Sequence, residues 1–270
     1  MYVAQADHAA AFGGKDMRNR LAGNSGALAA GAISEGYGDC AGPVNRGPDD
    51  SRRRIGIGPG LAQAVVILLA FCFLVAAPAA AQTLRIAMLG DSLTAGFGLS
   101  PDQALPAKLE AALKAAGRDV SVANHGVSGD TSAGGLARLD WTLGDKPTLV
   151  IVALGANDAL RGLDPDETEK NLDAMIARTK AAGAAVLLCG MKAPRNYGPE
   201  YVTKFDGLYE RLAAKHGVAL MPFLLEGVAM TPELNQPDGI HPNAKGVEAI
   251  VKQLAPAVVK ALEGAKKPGG

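Results

Sequence analysis

A serine follows directly after an apolar segment in the stretch MLGDSLTAGFG, which runs from Met88 to Gly98. The hydroxyl of Ser92 could act as a nucleophile, but a serine hydroxyl is weak until a neighbouring base takes its proton. Gly-Asp-Ser is also common in ordinary strand-to-helix turns. The choice between the two interpretations depends on whether the rest of the chain supplies a base, an orienting acid and an oxyanion hole.

The best candidate for the base is His241, in the segment PDGIHPN near the C-terminus. Neutral imidazole is a suitable proton acceptor at neutral pH, and an acceptor on its second ring nitrogen orients it. Asp238, three residues earlier, can supply that acceptor from the same loop. His216 stands at a predicted helix end, where a cation suits the helix dipole. His125 has no acid next to it in the sequence, so its role stays open.

Predicted strands and helices alternate along the chain from about residue 84. The predicted strands are LRIAMLG, DVSVANHG, TLVIVALG, AVLLCGM and VALMP. The predicted helices are LPAKLEAALKAAG, TSAGGLARLDWTLG (opened by Thr131), DPDETEKNLDAMIARTKAAG, EYVTKFDGLYERLAAKHG and NAKGVEAIVKQLAPAVVKALEG. This alternation predicts an α/β fold, a three-layer α/β/α sandwich around a parallel five-stranded sheet.

The first three predicted strands each deliver a residue with possible chemistry to the same edge of the sheet. Ser92 follows the first strand, Gly129 the second and Asn157 the third. Ligands of such sheets bind at the carboxyl ends of the strands. If the first strand lies between the other two, Gly129 and Asn157 flank Ser92 as potential oxyanion donors. As alternatives, the segment GAND could be a helix cap and Asp238-Gly239 a plain turn.

Four segments together resemble the SGNH hydrolase family, also called the GDSL esterases and lipases. GDSLTAGFG resembles its first block, GVSGDTS its second, GAND its third and DGIHPN its fifth. The resemblance implies that Ser92 is the nucleophile and that Asp238 and His241 complete a catalytic triad. It also implies an oxyanion hole formed by the Ser92 and Gly129 backbone amides and the Asn157 side chain. The fold implied is flavodoxin-like, and neither a metal nor an organic cofactor is expected.

The family resemblance lies nearest to the arylesterase and bacterial thioesterase I/lysophospholipase subgroup, so the expected activity is hydrolysis of carboxylic esters through an acyl-enzyme. The expected substrate is a small-molecule or lipid ester. The segment MPFLLEGVAM could line an acyl pocket or pack in the core. His125 stands where a small residue is expected.

Three other functions compete with this expectation. A carbohydrate O-acetyl esterase would use the same triad, although Trp141 is the chain's single tryptophan for a sugar platform. A flavodoxin-like binding module would hold an anion at a helix N-terminus, but the glycine-rich phosphate-binding motifs are absent. An inactive relative is less favoured because all four segments keep their reactive residues.

The first 81 residues differ in composition from the rest. Residues 1–50 are rich in Gly, Ala, Asp and Asn, which predicts a disordered extension, and a misassigned translation start would explain its position. Residues 51–81 have the layout of a secretory signal peptide: arginines at 52–54, an apolar run over 61–77 and alanines at 79–81. A membrane anchor is the alternative, but the apolar run is short for a span.

Cleavage after Ala81 would leave residues 82–270 as one hydrolase domain in the periplasm or outside the cell, without a stable membrane span. Cys189 is then the remaining cysteine, so no intrachain disulfide can form, and its apolar surroundings predict a buried thiol. The formal net charge of +0 gives no electrostatic footprint for a nucleic-acid partner.

Overall fold

Four of the five strands of the sheet coincide with apolar runs of the sequence. The structure, a computed structural model, describes residues 83–265. The extension predicted over residues 1–50 and the signal peptide predicted over 51–81 lie outside the described residues. Within the described range the strands form one five-stranded sheet: β1 (Leu84–Gly90), β2 (Val120–Gly126), β3 (Leu149–Ala153), β4 (Ala185–Cys189) and β5 (Ala219–Met221).

All neighbouring strands run parallel, in the order β2-β1-β3-β4-β5. This is the flavodoxin-like order, with β1 between β2 and β3 at the switch point. The predicted five-stranded parallel sheet is therefore confirmed. Every residue of β3 is buried, as expected for a strand covered on both faces.

The register of the three central strands brings their ends to one level. Gly90, the last residue of β1, pairs with Gly126 of β2 and with Ala153 of β3. The three loops that follow therefore leave the sheet side by side. This places Ser92, Gly129 and Asn157 at one edge of the sheet, as predicted.

Helices cover both faces of the sheet. They are α1 (Ser92–Ala95), α2 (Leu105–Ala115), α3 (Ser132–Ala137), α4 (Leu139–Gly144), α5 (Ala156–Leu160), α6 (Pro165–Ala181), α7 (Pro199–His216) and α8 (Ala244–Ala265). On one face α2 packs against α8, and on the other α6 packs against α3 and α7. Single turns of 3₁₀-helix occur at Pro101–Gln103, Arg195–Tyr197 and Pro232–Leu234.

The segment 131–144 corrects one prediction. Thr131 caps the helix start as expected, its side chain accepting a hydrogen bond from the Gly134 amide. The single predicted helix is however two short ones, α3 and α4, separated at Arg138, whose backbone angles are φ −106° and ψ 9°. The Arg138 guanidinium donates to Asp130 Oδ2 (2.6 Å) and to the Gly90 carbonyl (2.8 Å). The break thus coincides with a residue tied to the end of β1.

The helices and the cysteine of the described residues bear on two of the predictions. No helix within residues 83–265 is both long enough and apolar enough to cross a bilayer. Cys189 is buried in β4, as predicted, and burial raises the pKa of its thiol to about 12, so the thiol stays neutral.

Candidate active site

Ser92 is the first residue of α1, which begins almost directly after β1. Asp91 caps this helix, because its Oδ1 accepts a hydrogen bond from the Leu93 amide at 3.0 Å. The tight junction requires glycine at position 90, since a Cβ there would lie 2.0 Å from Thr94 Oγ1 and 2.9 Å from the Ala153 carbonyl oxygen. Gly90 is therefore needed for space at the sheet edge.

Ser92, His241 and Asp238 form a continuous chain of hydrogen bonds. His241 Nε2 lies 2.9 Å from Ser92 Oγ, and His241 Nδ1 lies 2.7 Å from Asp238 Oδ2. In the tautomer with the proton on Nδ1, the imidazole donates to Asp238 and accepts from the serine hydroxyl. The structure thus brings together the predicted nucleophile, base and orienting acid, although Ser92 and His241 are 149 residues apart in sequence.

The loop itself holds Asp238 in place and keeps it ionised. Its Oδ1 accepts hydrogen bonds from the backbone amides of Ile240 (2.9 Å) and His241 (3.0 Å). Partial burial raises the pKa of the Asp238 carboxyl, but the hydrogen bonds from His241 and Ile240 outweigh it, so the pKa lies below its ordinary value. A carboxylate in this position stabilises a positive charge on the imidazole.

Asn157 lies on α5, directly after β3, and its amide points towards the same edge. Its Nδ2 donates to the Asp130 carbonyl oxygen at 2.9 Å and to Asp91 Oδ2 at 3.3 Å. Asn157 and Ser92 line the same cavity. The structure therefore places the Asn157 amide beside the serine, with both of its contacts made to groups of the first two blocks.

Gly129 lies in the exposed loop after β2, with φ +85°. Its carbonyl oxygen accepts a hydrogen bond from the Arg161 guanidinium at 2.9 Å. Gly129 is at the predicted sheet edge but is not part of the cavity lining that Ser92 and Asn157 share.

Asp91 is a site residue that the sequence analysis did not single out. Its side chain is buried and lines the cavity next to Ser92. Burial raises its pKa to about 6, against the opposing effects of the Leu93 amide and the nearby His241. The signal available in the sequence was the residue type, since aspartate directly before a helix is a common cap.

His125 proves to be unconnected with Ser92. It is buried in β2, its Nδ1 lies 3.3 Å from Thr142 Oγ1, and its Nε2 lies 3.1 Å from Asp145 Oδ2. Its ring packs edge-on against Trp141. Asp145 is 20 residues from His125 in sequence and reaches it only through the fold, so no acid stands beside His125 in the sequence.

A cavity of about 660 Å³ opens beside Ser92, a volume typical of small-molecule sites. Its walls are largely apolar and include Leu160, Met191, Pro194, Phe223, Leu225 and Ile240. The segment MPFLLEGVAM divides between the two predicted roles. Ala229 and Met230 also line the cavity, whereas Leu224 and Val228 are fully buried in the core.

The arrangement is suited to proton transfer from a serine hydroxyl at the mouth of an apolar cavity. Residues 83–265 contain no cluster of three or more His, Cys, Asp or Glu side chains that could hold a metal ion.

Comparison with known proteins identifies the family of this chain. Residues 88–249 match the GDSL-like lipase/acylhydrolase family. The arylesterase of Vibrio mimicus is 41% identical over 197 residues, which are 73% of this chain and 97% of that protein. The thioesterase 1/protease 1/lysophospholipase L1 of Escherichia coli (strain K12) is 43% identical over 185 residues, 67% of this chain and 86% of that protein.

A crystal structure of TesA superimposes with a TM-score of 0.63 at 42% sequence identity and covers 66% of this chain and 99% of that chain. The family match covers more than half of the sequence, and the relatives match along most of their own length. The chain belongs to the GDSL-like lipase/acylhydrolase family.

Proposed function

We propose that this protein is a serine hydrolase of carboxylic esters in which Ser92, His241 and Asp238 are the catalytic triad. The observation that carries the proposal is the hydrogen-bonded chain of 2.9 Å and 2.7 Å through the two nitrogens of His241, at the mouth of an apolar cavity. It gives the loop around His241 a chemical role that a phosphate-binding module would lack.

The reaction proceeds through an acyl-enzyme. Ser92 Oγ attacks the ester carbonyl carbon while its proton passes to His241 Nε2. The tetrahedral intermediate collapses, the bond to the alcohol oxygen breaks, and His241 returns the proton to the leaving alcohol. A water molecule, deprotonated by His241, then attacks the acyl carbon. The bond from that carbon to Ser92 Oγ breaks, His241 returns the proton to Ser92 Oγ, and the acid is released. The ionised Asp238 stabilises the imidazolium in both halves.

The oxyanion hole consists of the Ser92 and Gly129 backbone amides and the Asn157 side-chain amide. Ser92 is the first residue of α1, so its amide has no partner within the helix and is available to a ligand. Asn157 Nδ2 lies 3.3 Å from Asp91 Oδ2, and this is the longer of its two hydrogen bonds. The developing oxyanion takes the place of that weaker contact.

The acyl group occupies the apolar cavity beside Ser92. Its volume and its lining by Phe223, Leu225 and Met230 favour a hydrocarbon chain over an acetylated sugar. The substrate class is therefore an acyl ester of arylesterase, thioesterase or lysophospholipase type.

A substrate panel on the purified protein tests this proposal. We expect higher kcat/KM for p-nitrophenyl butyrate and octanoate than for the acetate ester, and weak release of acetate from acetylated xylan. Fast deacetylation of xylan with poor hydrolysis of the longer esters would instead favour the carbohydrate esterase. The same panel extended to an acyl thioester and a lysophospholipid ranks the remaining ester classes.

We also propose that the chain is exported and cleaved after Ala81. The arginines at 52–54, the apolar run over 61–77 and the alanines at 79–81 support this proposal. Sequencing the N-terminus of the protein recovered from the periplasm or the medium should find Gln82. Recovery in the membrane fraction with residues 61–77 retained would contradict it.

A further inference from the structure

Gln236 links the two segments that carry the proposed nucleophile and base. Ser92 lies on α1, which is followed by the turn at Phe97 and Gly98, whereas His241 lies on a loop close to the C-terminus. Gln236 is half-buried, and its Nε2 donates to the Phe97 carbonyl oxygen at 2.7 Å and to the Pro242 carbonyl oxygen at 3.1 Å. One amide group therefore bonds to both segments at once.

The backbone of Gln236 adds two more hydrogen bonds at the same place. Its amide donates to the His241 carbonyl oxygen at 2.7 Å, and its carbonyl oxygen accepts from the Gly239 amide at 2.9 Å. The main chain of Gln236 thus fixes the backbone of His241, while its side chain fixes the next residue, Pro242. Gln236 therefore holds the proposed base, His241, through its own backbone and through the residue that follows it.

The ring of Phe97 packs directly against the imidazole ring of His241. Its ring centroid lies 4.5 Å from that of His241 at an interplanar angle of 36°. Because Gln236 binds the Phe97 carbonyl, it also fixes the residue whose ring packs against the base. A shift of Phe97 would remove the packing on that side of the imidazole.

Gly98 leaves room for this contact. A Cβ at position 98 would lie 2.1 Å from Gln236 Oε1, and the residue has φ +74°, a region that favours glycine. The chain therefore has glycine where any side chain would displace the Gln236 amide.

We propose that Gln236 is a positioning residue that holds His241 at hydrogen-bonding distance from Ser92. The inference rests on the proposed function, in which His241 is the base. A small misplacement of a catalytic group can cost about 10²-fold in rate. Loss of Gln236 should therefore act on the chemical step and leave substrate binding in the cavity nearly unchanged.

The test compares Gln236→Ala and Gln236→Glu with the wild-type protein on p-nitrophenyl butyrate. Glutamate keeps the length of the side chain, but an ionised carboxylate cannot donate to either carbonyl. We expect kcat to fall roughly 10- to 100-fold in both variants with KM changed less than about threefold. Assays are run well below each variant's Tm, and Gln236→Glu provides a second reading if Gln236→Ala folds poorly.

Arg85→Ala is the matched control. Arg85 is exposed near the start of β1, and its Nε donates to the Lys146 carbonyl at 3.2 Å, so the variant also removes a side-chain bond between distant segments. It lies at the opposite end of the sheet from Ser92, and its kcat should match the wild type. Values of kcat for the Gln236 variants within twofold of the control would overturn the proposal.

A double-mutant cycle with Gly98→Ala separates positioning from general stability. If Gly98 serves the Gln236 contact, Gly98→Ala should lower kcat in the wild-type background and have little further effect on kcat in the Gln236→Ala background. Fully additive effects would contradict the link. Wild-type protein whose ester hydrolysis equals that of Ser92→Ala would instead refute the proposed function, which is a different failure.

Discussion

Asp91 carries a carboxylate that the fold has almost removed from water. Its pKa of about 6 lies above its ordinary value of 3.8 because burial disfavours the charged form. A group whose pKa is raised on folding binds more protons in the folded state, so its contribution to stability falls as the pH rises from about 4 to about 6. Ionised Asp91 thus costs the fold on the order of 3 kcal/mol at pH 7.

Asp91→Asn should remove this cost while keeping the helix cap, because asparagine caps as well as aspartate. We expect the variant to be more stable than the wild type at pH 7, with the difference shrinking towards zero at pH 4. Urea unfolding at pH 4, 5, 6 and 7 measures it. Asp102→Asn is the control, since a hydrogen bond with the Ser100 side chain lowers the pKa of the exposed Asp102. A gain for Asp91→Asn that does not vary with pH would contradict the assignment.

Asn157→Ala tests the proposed side-chain donor of the oxyanion hole. Removing one such donor typically lowers kcat by about 10²- to 10³-fold, and KM should change little. Asn157→Asp keeps the shape but places a negative charge near the oxyanion, so its kcat should be at least as low. Steady-state kinetics on p-nitrophenyl butyrate checks both variants, with Tm recorded for each. A loss below fivefold in both would exclude Asn157 from the oxyanion hole.

The segment 223–230 contributes some residues to the core and others to the lining of the cavity. Leu224 and Val228 are fully buried, while Phe223, Leu225 and Ala229 line the cavity. Some residues of this turn-rich segment can therefore limit the space in the cavity, while the residues next to them anchor the segment in the core.

Ala229→Leu should shorten the space available to the acyl chain. We expect kcat/KM for the octanoate ester to fall roughly 10- to 100-fold relative to the acetate ester, because about three methylenes lose their apolar contact at roughly 0.8 kcal/mol each. Leu224→Ala is the contrast: it should cost about 2–5 kcal/mol of stability and leave the chain-length preference unchanged. Equal chain-length profiles for Ala229→Leu and the wild type would place the acyl group elsewhere.

The short helices α1 and α5 show what element prediction from sequence misses. Each has only four or five residues and begins at the end of a strand, so neither contains enough turns for an apolar periodicity. Both nevertheless carry a proposed site residue, Ser92 and Asn157. Most of the strands were predictable because they are apolar runs of strand length with clear ends.

The fold of the molecule and most of its candidate site could be predicted from the sequence for physical reasons. Asp238 and His241 share one loop, so their pairing is local and could be read directly. The meeting of Ser92 with Asn157 at one edge followed from the alternation of strands and helices, which brings the strand ends together. The pairing of Ser92 with His241 followed from their chemistry and from the resemblance to the SGNH hydrolase family. These predictions depend on short-range patterns and on general topology.

Other features depend on side chains that only the packed fold brings together. His125 pairs with Asp145, and Gln236 donates to the Phe97 carbonyl oxygen; both contacts join residues far apart in sequence. The packed fold also buries Asp91. The break at Arg138 likewise coincides with bonds to Asp130 and to the Gly90 carbonyl. No periodicity or local motif encodes these contacts, so the sequence analysis left them out.

The variant Ser92→Ala removes the hydroxyl on which the acyl-enzyme would form. Steady-state hydrolysis of p-nitrophenyl butyrate by wild-type and variant protein, both shown to be folded by circular dichroism, is the measurement. We expect a loss in kcat of at least about 10⁴-fold, since a triad without its nucleophile retains only binding and oxyanion stabilisation. A variant that hydrolyses the ester within tenfold of the wild-type rate would contradict it.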